Sequence, residues 1–458
     1  MKTVEVTNRD EILGDRESPA RTLSTALDIL ETGINAVLPH RLFQKKVNLE
    51  DSKLFLADER VNLEKFSKII VVGGGKASYE MSQALYEVLG DKIDCGLVIT
   101  NSKTGSDNKV GPIQVRKASH PIPDRSNVQA AEQLLEMAEQ AQNGDLVICL
   151  ISGGGSALMS SPLPPISIEG LQIVNKLLID SGASINEINT VRKQLSQIKG
   201  GKLAETIYPG QIRSLIISDV VADPVGIIAS GPTEPFDPSP GEALAIIDRY
   251  GLRKKIPDAV FTSLREGKQK GPDSPEAKKN EIFNNVRNHV IGNNLTALRA
   301  IEAESRERDL RPLILSSMLE GTSNQVGGVL AQLAKSMRVE NLPLSPPAVL
   351  IAGGETTVAV DSGGGSGGPN QELVSGAARQ IRGLNSTVVA AVDTDGQDGS
   401  TEVAGGIVHG ELTEAQLVKI HQGLANHNSL SALNSCHCSI STGSTGTNVN
   451  DIILVLVS

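Results

Sequence analysis

Runs of consecutive apolar residues alternate with helical patterns along most of this chain. Near-continuous apolar runs are typical of strands in a parallel sheet that is covered on both faces, and apolar residues three or four apart predict amphipathic helices. The predicted strands are 68–72, 95–100, 113–119, 145–151, 213–220, 287–292, 311–317, 347–354, 356–361, 386–396 and 452–457. The main predicted helices are 17–39, 77–89, 127–141, 166–182, 185–198, 293–307, 322–337 and 370–382. This order predicts an α/β fold.

A charged segment that carries glycine and proline, 265–281, separates two such α/β series. A composition of this kind is typical of an exposed connection, and 458 residues exceed the usual size of one hydrophobic core. We therefore predict two domains, 1–268 and 282–458. The position of the last strand is left open, because a terminal strand can return to the first domain.

Composition narrows the classes of partner. The net charge of −10 and the aromatic content of 2% argue against a nucleic acid partner or an anionic membrane surface. The longest apolar runs, 146–151 and 452–457, are too short to span a bilayer. Four scattered cysteines form no disulfide framework, and the first residues lack the apolar core of a signal peptide. We expect a cytoplasmic protein without membrane partners, and a homodimer is left open.

Glycine-rich turns follow several of the predicted strands. A glycine cluster at a strand end lets backbone N–H groups approach an anion, and the next helix points its positive N-terminus at the same place. The two turns before residue 160 give the candidate phosphate-binding residues Gly74, Gly75, Ser152, Gly153, Gly154, Gly155 and Ser156. The alternative is that each turn only connects a strand to a helix. GGGKAS is not a P-loop, because Ile70 and Ala77 stand where that motif needs glycine and Ser or Thr.

Two sets of cations are candidates for binding an anion. Lys76 stands at the first glycine turn, where a cation is unfavourable beside a helix N-terminus unless an anion also binds. The stretch 189–204 carries Arg192, Lys193, Lys199 and Lys202, of which Arg192 is the preferred site residue. The alternatives are a solvated loop lysine and a solvated helix face.

Acidic residues follow strands in both halves of the chain, where α/β sheets bind ligands. Asp219 and Asp223 follow the strand 213–220, and Glu355, Asp393, Asp395 and Asp398 form a second set. Such carboxylates can hold Mg²⁺ or act as a base, and the alternative is helix capping. His120 lies in SHPIPD, where the two prolines that follow it fix the backbone, and we expect it to be structural.

Nine segments in order resemble the glycerate 2-kinase family, whose C-terminal part is the MOFRL domain. The segments are GGGKA (73–77), SHPIPD (119–124), SGGGSALM (152–159), NTVRKQLSQIKGGKLA (189–204), ISDVVADPVGIIASGPT (217–233), AGGETTV (352–358), GGPNQE (367–372), DTDGQDG (393–399) and TGTNVND (445–451). The resemblance covers nearly the whole chain. It implies a larger Rossmann-like N-terminal domain, a smaller α/β C-terminal domain and an active site in the cleft between them.

The resemblance also implies an activity, the transfer of a phosphoryl group from ATP to the 2-hydroxyl of D-glycerate with Mg²⁺. Lys76 then matches the family's essential lysine, and the SGGGSAL turn forms part of the ligand-binding wall. Asp219 or Asp223 is a candidate acceptor for the hydroxyl proton. Candidate ligands of Mg²⁺ are Asp393, Asp395 and Glu355, and Asn370 is a further binding candidate. Many members carry arginine where this chain has Pro369, so Arg192 is the candidate replacement cation.

Two other functions are compatible with the sequence. An NAD(P)-dependent hydroxypyruvate reductase would explain a glycine turn after the first strong strand, but Ser78 breaks the dinucleotide fingerprint. A non-catalytic sugar-acid binding protein is suggested by Pro369 in place of the arginine.

Overall fold

The computed structural model describes residues 3–14, 19–102, 108–270, 276–359 and 364–458. The chain divides into two compact units. The central unit is Leu42–Ile291, and the terminal unit combines both chain ends, Met1–Arg41 and Gly292–Ser458. Helices α1 (Arg9–Leu13) and α2 (Ala20–Ala36) belong to the terminal unit, and α3 (Pro39–Lys46) leads into the central unit.

The central unit alternates strands and helices. Its strands are β1 (Val47–Glu50), β2 (Lys53–Leu56), β3 (Glu59–Asn62), β4 (Ile69–Gly74), β5 (Cys95–Thr100), β6 (Lys109–Val110), β7 (Ile113–Lys117), β8 (Leu146–Ser152), β9 (Gln211–Ile217) and β10 (Val286–Gly292). Its helices are α4 (Ser78–Leu89), α5 (Arg125–Ala138), α6 (Gly155–Leu158), α7 (Ile168–Asp180), α8 (Ile185–Gln194), α9 (Lys202–Ile207), α10 (Pro240–Arg249), α11 (Asp258–Lys270) and α12 (Glu276–Asn284).

The main sheet of the central unit has the strand order β10-β9-β8-β4-β5-β7-β6. Strands β4, β5, β7, β8 and β9 pair in parallel, and every residue of β4 and β8 is buried. The register places Gly74 opposite Ile151 on β8, and Ser152 opposite Ile217 on β9. The carboxyl ends of three neighbouring strands are therefore level, so the turns that follow them meet at one edge. Strands β1 to β3 form a separate antiparallel sheet.

The terminal unit is built on a second, mostly antiparallel sheet. Its strands are β11 (Arg311–Leu319), β12 (Ala348–Gly354), β13 (Thr387–Asp393), β14 (Gly405–His409), β15 (Ser439–Ile440) and β16 (Asp451–Val457). Its helices after α2 are α13 (Asn294–Glu307), α14 (Ser323–Glu340), α15 (Pro369–Ala378), α16 (Glu414–Ala425) and α17 (Ser429–Asn434). The strand order is β11-β12-β16-β13-β14-β15, and only β11 and β12 pair in parallel.

The α/β fold and most of the predicted strands are confirmed, but the units differ from the predicted limits 1–268 and 282–458. Helix α2 packs in the terminal unit, where a Cβ on Gly33 would lie 2.6 Å from Cδ1 of Ile301. The change of unit falls at Gly292, because β10 still extends the central sheet. Strand β16 stays in the terminal unit between β12 and β13, so it does not return to the first domain.

The prediction of a strand at 356–361 is wrong for residues 356–359, which the structure describes. Thr357 makes only an isolated parallel bridge to Thr322, and residues 360 and 361 lie outside the described residues. None of the helices in the described ranges has the length and apolarity that crossing a membrane requires.

Candidate functional site

The glycine turns after β4 and β8 are bonded to each other. The backbone N–H of Lys76 donates to the carbonyl of Gly153 over 2.8 Å, and the N–H of Ala77 donates to Oγ of Ser152 over 3.0 Å. A Cβ on Gly75 would lie 2.1 Å from Oγ of Ser152, which is closer than any side chain allows. Glycine is therefore required here for close approach of two backbones, and the two predicted anion-binding turns form one structure.

Three polar side chains surround the second turn. A Cβ on Gly153 would lie 1.9 Å from Oδ2 of Asp219, so the Asp219 carboxylate lies against the backbone of this turn. A Cβ on Gly154 would lie 3.0 Å from Cγ of Lys76 and 3.1 Å from Nε2 of His120. The structure thus brings the sequence-predicted residues Lys76 and Asp219 together at Gly153 and Gly154, and it adds His120.

A cavity of about 180 Å³ opens beside this turn. Its walls include His120, Gly154, Ser156, Asn175, Arg192 and Lys199. None of the described lining residues is acidic. Nε of Arg192 donates to Oδ1 of Asn175 over 2.8 Å, and Nζ of Lys199 donates to Oγ of Ser156 over 3.1 Å and also to its carbonyl. The cavity therefore combines hydroxyl and amide groups with two cations, which suits a small hydrophilic anion.

Burial and mutual repulsion act on these cations. Burial, with the charges of Arg192 and Lys193, lowers the pKa of Lys199 to about 7. Burial also lowers the pKa of Arg192 and of Lys193, and the charge of Glu234 partly offsets the shift at Lys193. A bound anion would favour the charged form of each side chain, so ligand binding and protonation are coupled at this cavity.

The segment after β9 holds a strained backbone next to the cavity. Ala229 and Ser230 have φ of 50° and 64°, which is uncommon for residues other than glycine. Oγ of Ser230 lies 2.8 Å from Oγ of Ser156, and the Ser230 carbonyl accepts from the N–H of Gly200. Asp223, in the turn before this segment, also has a positive φ of 56°. The strained residues fix the rim of the cavity through Ser156.

In the terminal unit, the second acidic set lies at one end of the sheet. Asp451 is opposite Gly354 on one side and Asp393 on the other, and Glu355 follows Gly354 directly. The N–H of Asp395 donates to Oδ1 of Asp393 over 2.9 Å. The predicted residues Glu355, Asp393 and Asp395 thus lie around Asp451. This aspartate ends the segment 445–451 and was not among the predicted site residues.

Asp398 lies at the start of helix α15. Its carboxylate accepts from the backbone N–H groups of Asn370 and Gln371 over 2.9 and 2.8 Å, and from both of their side-chain amides. Nδ2 of Asn370 also donates to Oδ1 of Asp451 over 2.6 Å. Asn370 is only 1% exposed, so in this structure it links two buried carboxylates. Its predicted role in ligand binding is untested and stays a prediction.

The two linked carboxylates differ in their surroundings. Burial raises the pKa of Asp398 to about 6, although four donors favour its charged form. Burial, followed by the charges of Asp398 and Glu355, raises the pKa of Asp451. The pair Asp398 and Asp451 therefore takes up a proton at a higher pH than isolated carboxyl groups do.

The acidic residues are compatible with Mg²⁺ only together with a ligand. Within the described ranges, no three His, Cys, Asp or Glu side chains are grouped closely enough to enclose a metal. Mg²⁺ in phosphoryl-transfer enzymes usually takes one or two carboxylates and completes its shell with phosphate and water. A hydrogen bond from the backbone of Asp395 to Asp393 holds their loop, and Glu355 is exposed. These three side chains offer carboxylates of that kind.

Glycine turns at level strand ends, with cations and a carboxylate around them, are features of α/β proteins that bind small anions. Residues 25–265 match the domain of unknown function DUF4147, and residues 348–451 match the MOFRL family. The chain is 36% identical to a D-glycerate 2-kinase of Thermotoga maritima, over 96% of this chain and 99% of that protein. The chain belongs to the glycerate kinase family.

A solved structure and a relative with a different name also match nearly the whole chain. The crystal structure of a Thermotoga maritima glycerate kinase has a TM-score of 0.81 and 34% identity, over 95% of this chain and 99% of that one. An Agrobacterium vitis protein with the provisional name hydroxypyruvate reductase is 36% identical, over 91% of this chain and 93% of that protein. The expected resemblance to the glycerate 2-kinase family is confirmed.

Proposed function

We propose that this protein transfers the γ-phosphoryl group of ATP to the 2-hydroxyl of D-glycerate and so makes 2-phosphoglycerate. The cavity beside the two glycine turns carries the proposal, because it is small, has two cations and has no acidic residue among its described walls. A three-carbon hydroxy acid matches such a cavity in size and charge. The names of the relatives agree with this acceptor.

The residues around the turns suit phosphoryl transfer, which depends on positioning and charge neutralisation more than on covalent chemistry. Lys76 is proposed to neutralise charge on the transferring phosphoryl group, and backbone N–H groups of 152–156 to bind phosphate oxygens. Arg192 is proposed to bind the acceptor or the phosphoryl group. It would supply the positive charge that Pro369 cannot. The acceptor oxygen attacks phosphorus, ADP leaves, and Asp219 or Asp223 accepts the hydroxyl proton. Asp219 is the better placed, because it contacts the turn that also holds Lys76.

Mg²⁺ would neutralise the phosphate charge of the nucleotide when it is bound. We propose Glu355, Asp393 and Asp395 as its protein ligands, because they are the predicted acids that the terminal sheet gathers around Asp451.

A coupled assay tests the activity and its position on the acceptor. Purified protein is supplied with ATP, Mg²⁺ and D-glycerate, and enolase is added without phosphoglycerate mutase. We expect phosphoenolpyruvate to form, because enolase consumes 2-phosphoglycerate directly. A signal that needs added mutase would mean phosphorylation of the 3-hydroxyl, and no release of ADP would contradict the kinase proposal.

The provisional name of one relative keeps a hydroxypyruvate reductase as the second candidate. Its test is NADH or NADPH oxidation with hydroxypyruvate. Turnover there, with no ADP released in the first assay, would replace the kinase proposal with the reductase.

A further inference from the structure

The ammonium group of Lys199 is buried without an opposite charge. Lys199 is 3% exposed, and its Nζ donates to the hydroxyl and the carbonyl of Ser156. In the part of the chain that the structure describes, no carboxylate lies within ion-pair distance of it, and the nearby charges are those of Arg192 and Lys193. A buried charge without a counter-charge is costly, so its presence needs a reason.

The neighbouring lysines differ from Lys199. Nζ of Lys193 lies 4.3 Å from the ring centre of Phe236, and Glu234 adds a favourable charge. Nζ of Lys202 donates to the carbonyls of Lys193 and Ser196 over 3.0 and 2.6 Å. Neither lysine is among the described walls of the cavity, whereas Lys199 and Arg192 are. The uncompensated charge is therefore directed at the cavity.

We propose that Lys199, together with Arg192, binds the carboxylate of the acceptor in this cavity and makes the enzyme select an anionic acceptor. The carboxylate supplies the opposite charge that Lys199 lacks, and Arg192 presents its guanidinium to the same space. Lys76 also lies against Gly154, but it is not among the described walls of the cavity, so it is left for the phosphoryl group. This inference rests on the proposed kinase function, which it deepens by separating the two anionic groups of the reaction.

The test compares D-glycerate with its uncharged amide, D-glyceramide. Both are titrated by calorimetry into the full-length protein with Mg²⁺ and a non-hydrolysable ATP analogue. The ratio of the two dissociation constants is the carboxylate preference. We expect a preference of at least about 10-fold in the wild type, because charge-assisted hydrogen bonds contribute about 10- to 100-fold in affinity. Lys199→Met should weaken D-glycerate binding by that factor and leave D-glyceramide binding within about threefold.

Lys202→Met is the matched control. Like Lys199, Lys202 donates two hydrogen bonds, here to backbone carbonyls, but it does not line the cavity. It should lower thermal stability without changing the carboxylate preference. Lys199→Arg should retain most of the preference, since it keeps the charge. If Lys199→Met weakens both compounds equally, or keeps the preference of the wild type, Lys199 only holds Ser156 in place and the proposal is overturned.

The test still decides the proposal if Lys199→Met fails to fold. If Lys199→Met gives no cooperative thermal transition, the wild type and Lys199→Arg are titrated alone, and a wild-type preference below about threefold overturns the proposal. Wild-type turnover to 2-phosphoglycerate is measured in parallel. Carboxylate preference without turnover would contradict the proposed function alone, and turnover without the Lys199 effect would contradict this inference alone.

Discussion

Lys76 has a backbone that is fixed on both sides by the second glycine turn. Its N–H is bonded to Gly153, and its side chain runs along Gly154, where a Cβ would lie 3.0 Å from Cγ. Helix α4 begins two residues later, so the positive end of the helix and the ammonium group reinforce each other. These two positive charges act at one place, so they stabilise a bound anion and destabilise the site when it is empty.

Replacing this lysine tests its role directly. We expect Lys76→Ala to lower kcat/KM for D-glycerate by about 100-fold or more, because a preorganised charge at the transferring group is lost. The melting temperature should stay equal to that of the wild type or rise, since an unfavourable charge is removed. Steady-state kinetics and differential scanning calorimetry measure the two effects. Exposed Lys92→Ala is the control, and an unchanged kcat/KM for Lys76→Ala would remove this residue from the mechanism.

Sequence reasoning found some site residues and missed the role of others for a physical reason. Lys76 was predictable, because a lysine in a glycine turn before a helix contradicts the local electrostatics. Lys199 belongs to a basic stretch that is ordinarily a solvated helix face, and only the fold shows that it is buried. Asp451 precedes a strongly apolar strand, and its importance depends on neighbours from two other strands. Patterns along the chain do not encode such pairing.

Helix α15 shows how a helix start can hold a charge inside the protein. The first free N–H groups of the helix donate to Asp398, and Pro369 at its first turn has no N–H to satisfy. The same helix turn carries Asn370 to Asp451. Pro369 therefore stands at a helix start whose buried contacts are made by the residues that follow it.

The raised pKa of Asp451 predicts a pH dependence of stability. Its pKa is raised above the unfolded value of about 3.9, so the folded chain binds more protons than the unfolded chain above that pH. The free energy of unfolding of the terminal unit should therefore fall as pH rises from about 5 to 7, by up to about 1.4 kcal/mol per pH unit from this group. Denaturant unfolding at several pH values measures the slope.

Asp451→Asn removes the titrating group and should make this slope shallower. Asp309→Asn, an exposed turn position in the same unit, is the control and should keep the slope of the wild type. Equal slopes in all three proteins would contradict a raised pKa at Asp451.

At the scale of elements, the buried parallel strands were predictable and the small antiparallel ones were not. Strands β4, β5 and β8 are almost entirely apolar, and β9 ends in the apolar run 215–217, which the sequence makes plain. Strands β1 to β3 have only four residues each, and β14 begins with two glycines, so neither pattern stands out. Apolar runs also do not specify strand direction, so the mostly antiparallel pairing of the second sheet was not predictable from them.

At the scale of the whole molecule, the terminal unit joins the two ends of the chain. Helix α2 packs on α13 and β16, and Oγ1 of Thr22 lies 3.0 Å from Oγ of Ser458. Strand β16 is central in its sheet, with β12 and β13 on either side. A substitution in α2 should therefore weaken β16, which lies more than four hundred positions further along the sequence.

Leu27, on α2, is fully buried and tests this connection. We expect Leu27→Ala to destabilise the terminal unit by about 2–5 kcal/mol, because it leaves a cavity in the packing of α2. Hydrogen exchange should accelerate in β13 and β16 and stay unchanged in β8. Leu134→Ala, at an equally buried position of α5 in the central unit, should do the reverse. Faster exchange at β8 in the Leu27 variant would contradict the division into two units.

The central place of β16 imposes an order on synthesis. At about 5–20 residues per second, a ribosome makes α2 on the order of half a minute before β16 emerges. The central unit is complete in the nascent chain by then, whereas the apolar face of α2 has no finished sheet to cover. The face of α2 that packs on β16 therefore stays uncovered until the end of translation, and a premature stop just before Asp451 would leave β12 and β13 without the strand that joins them.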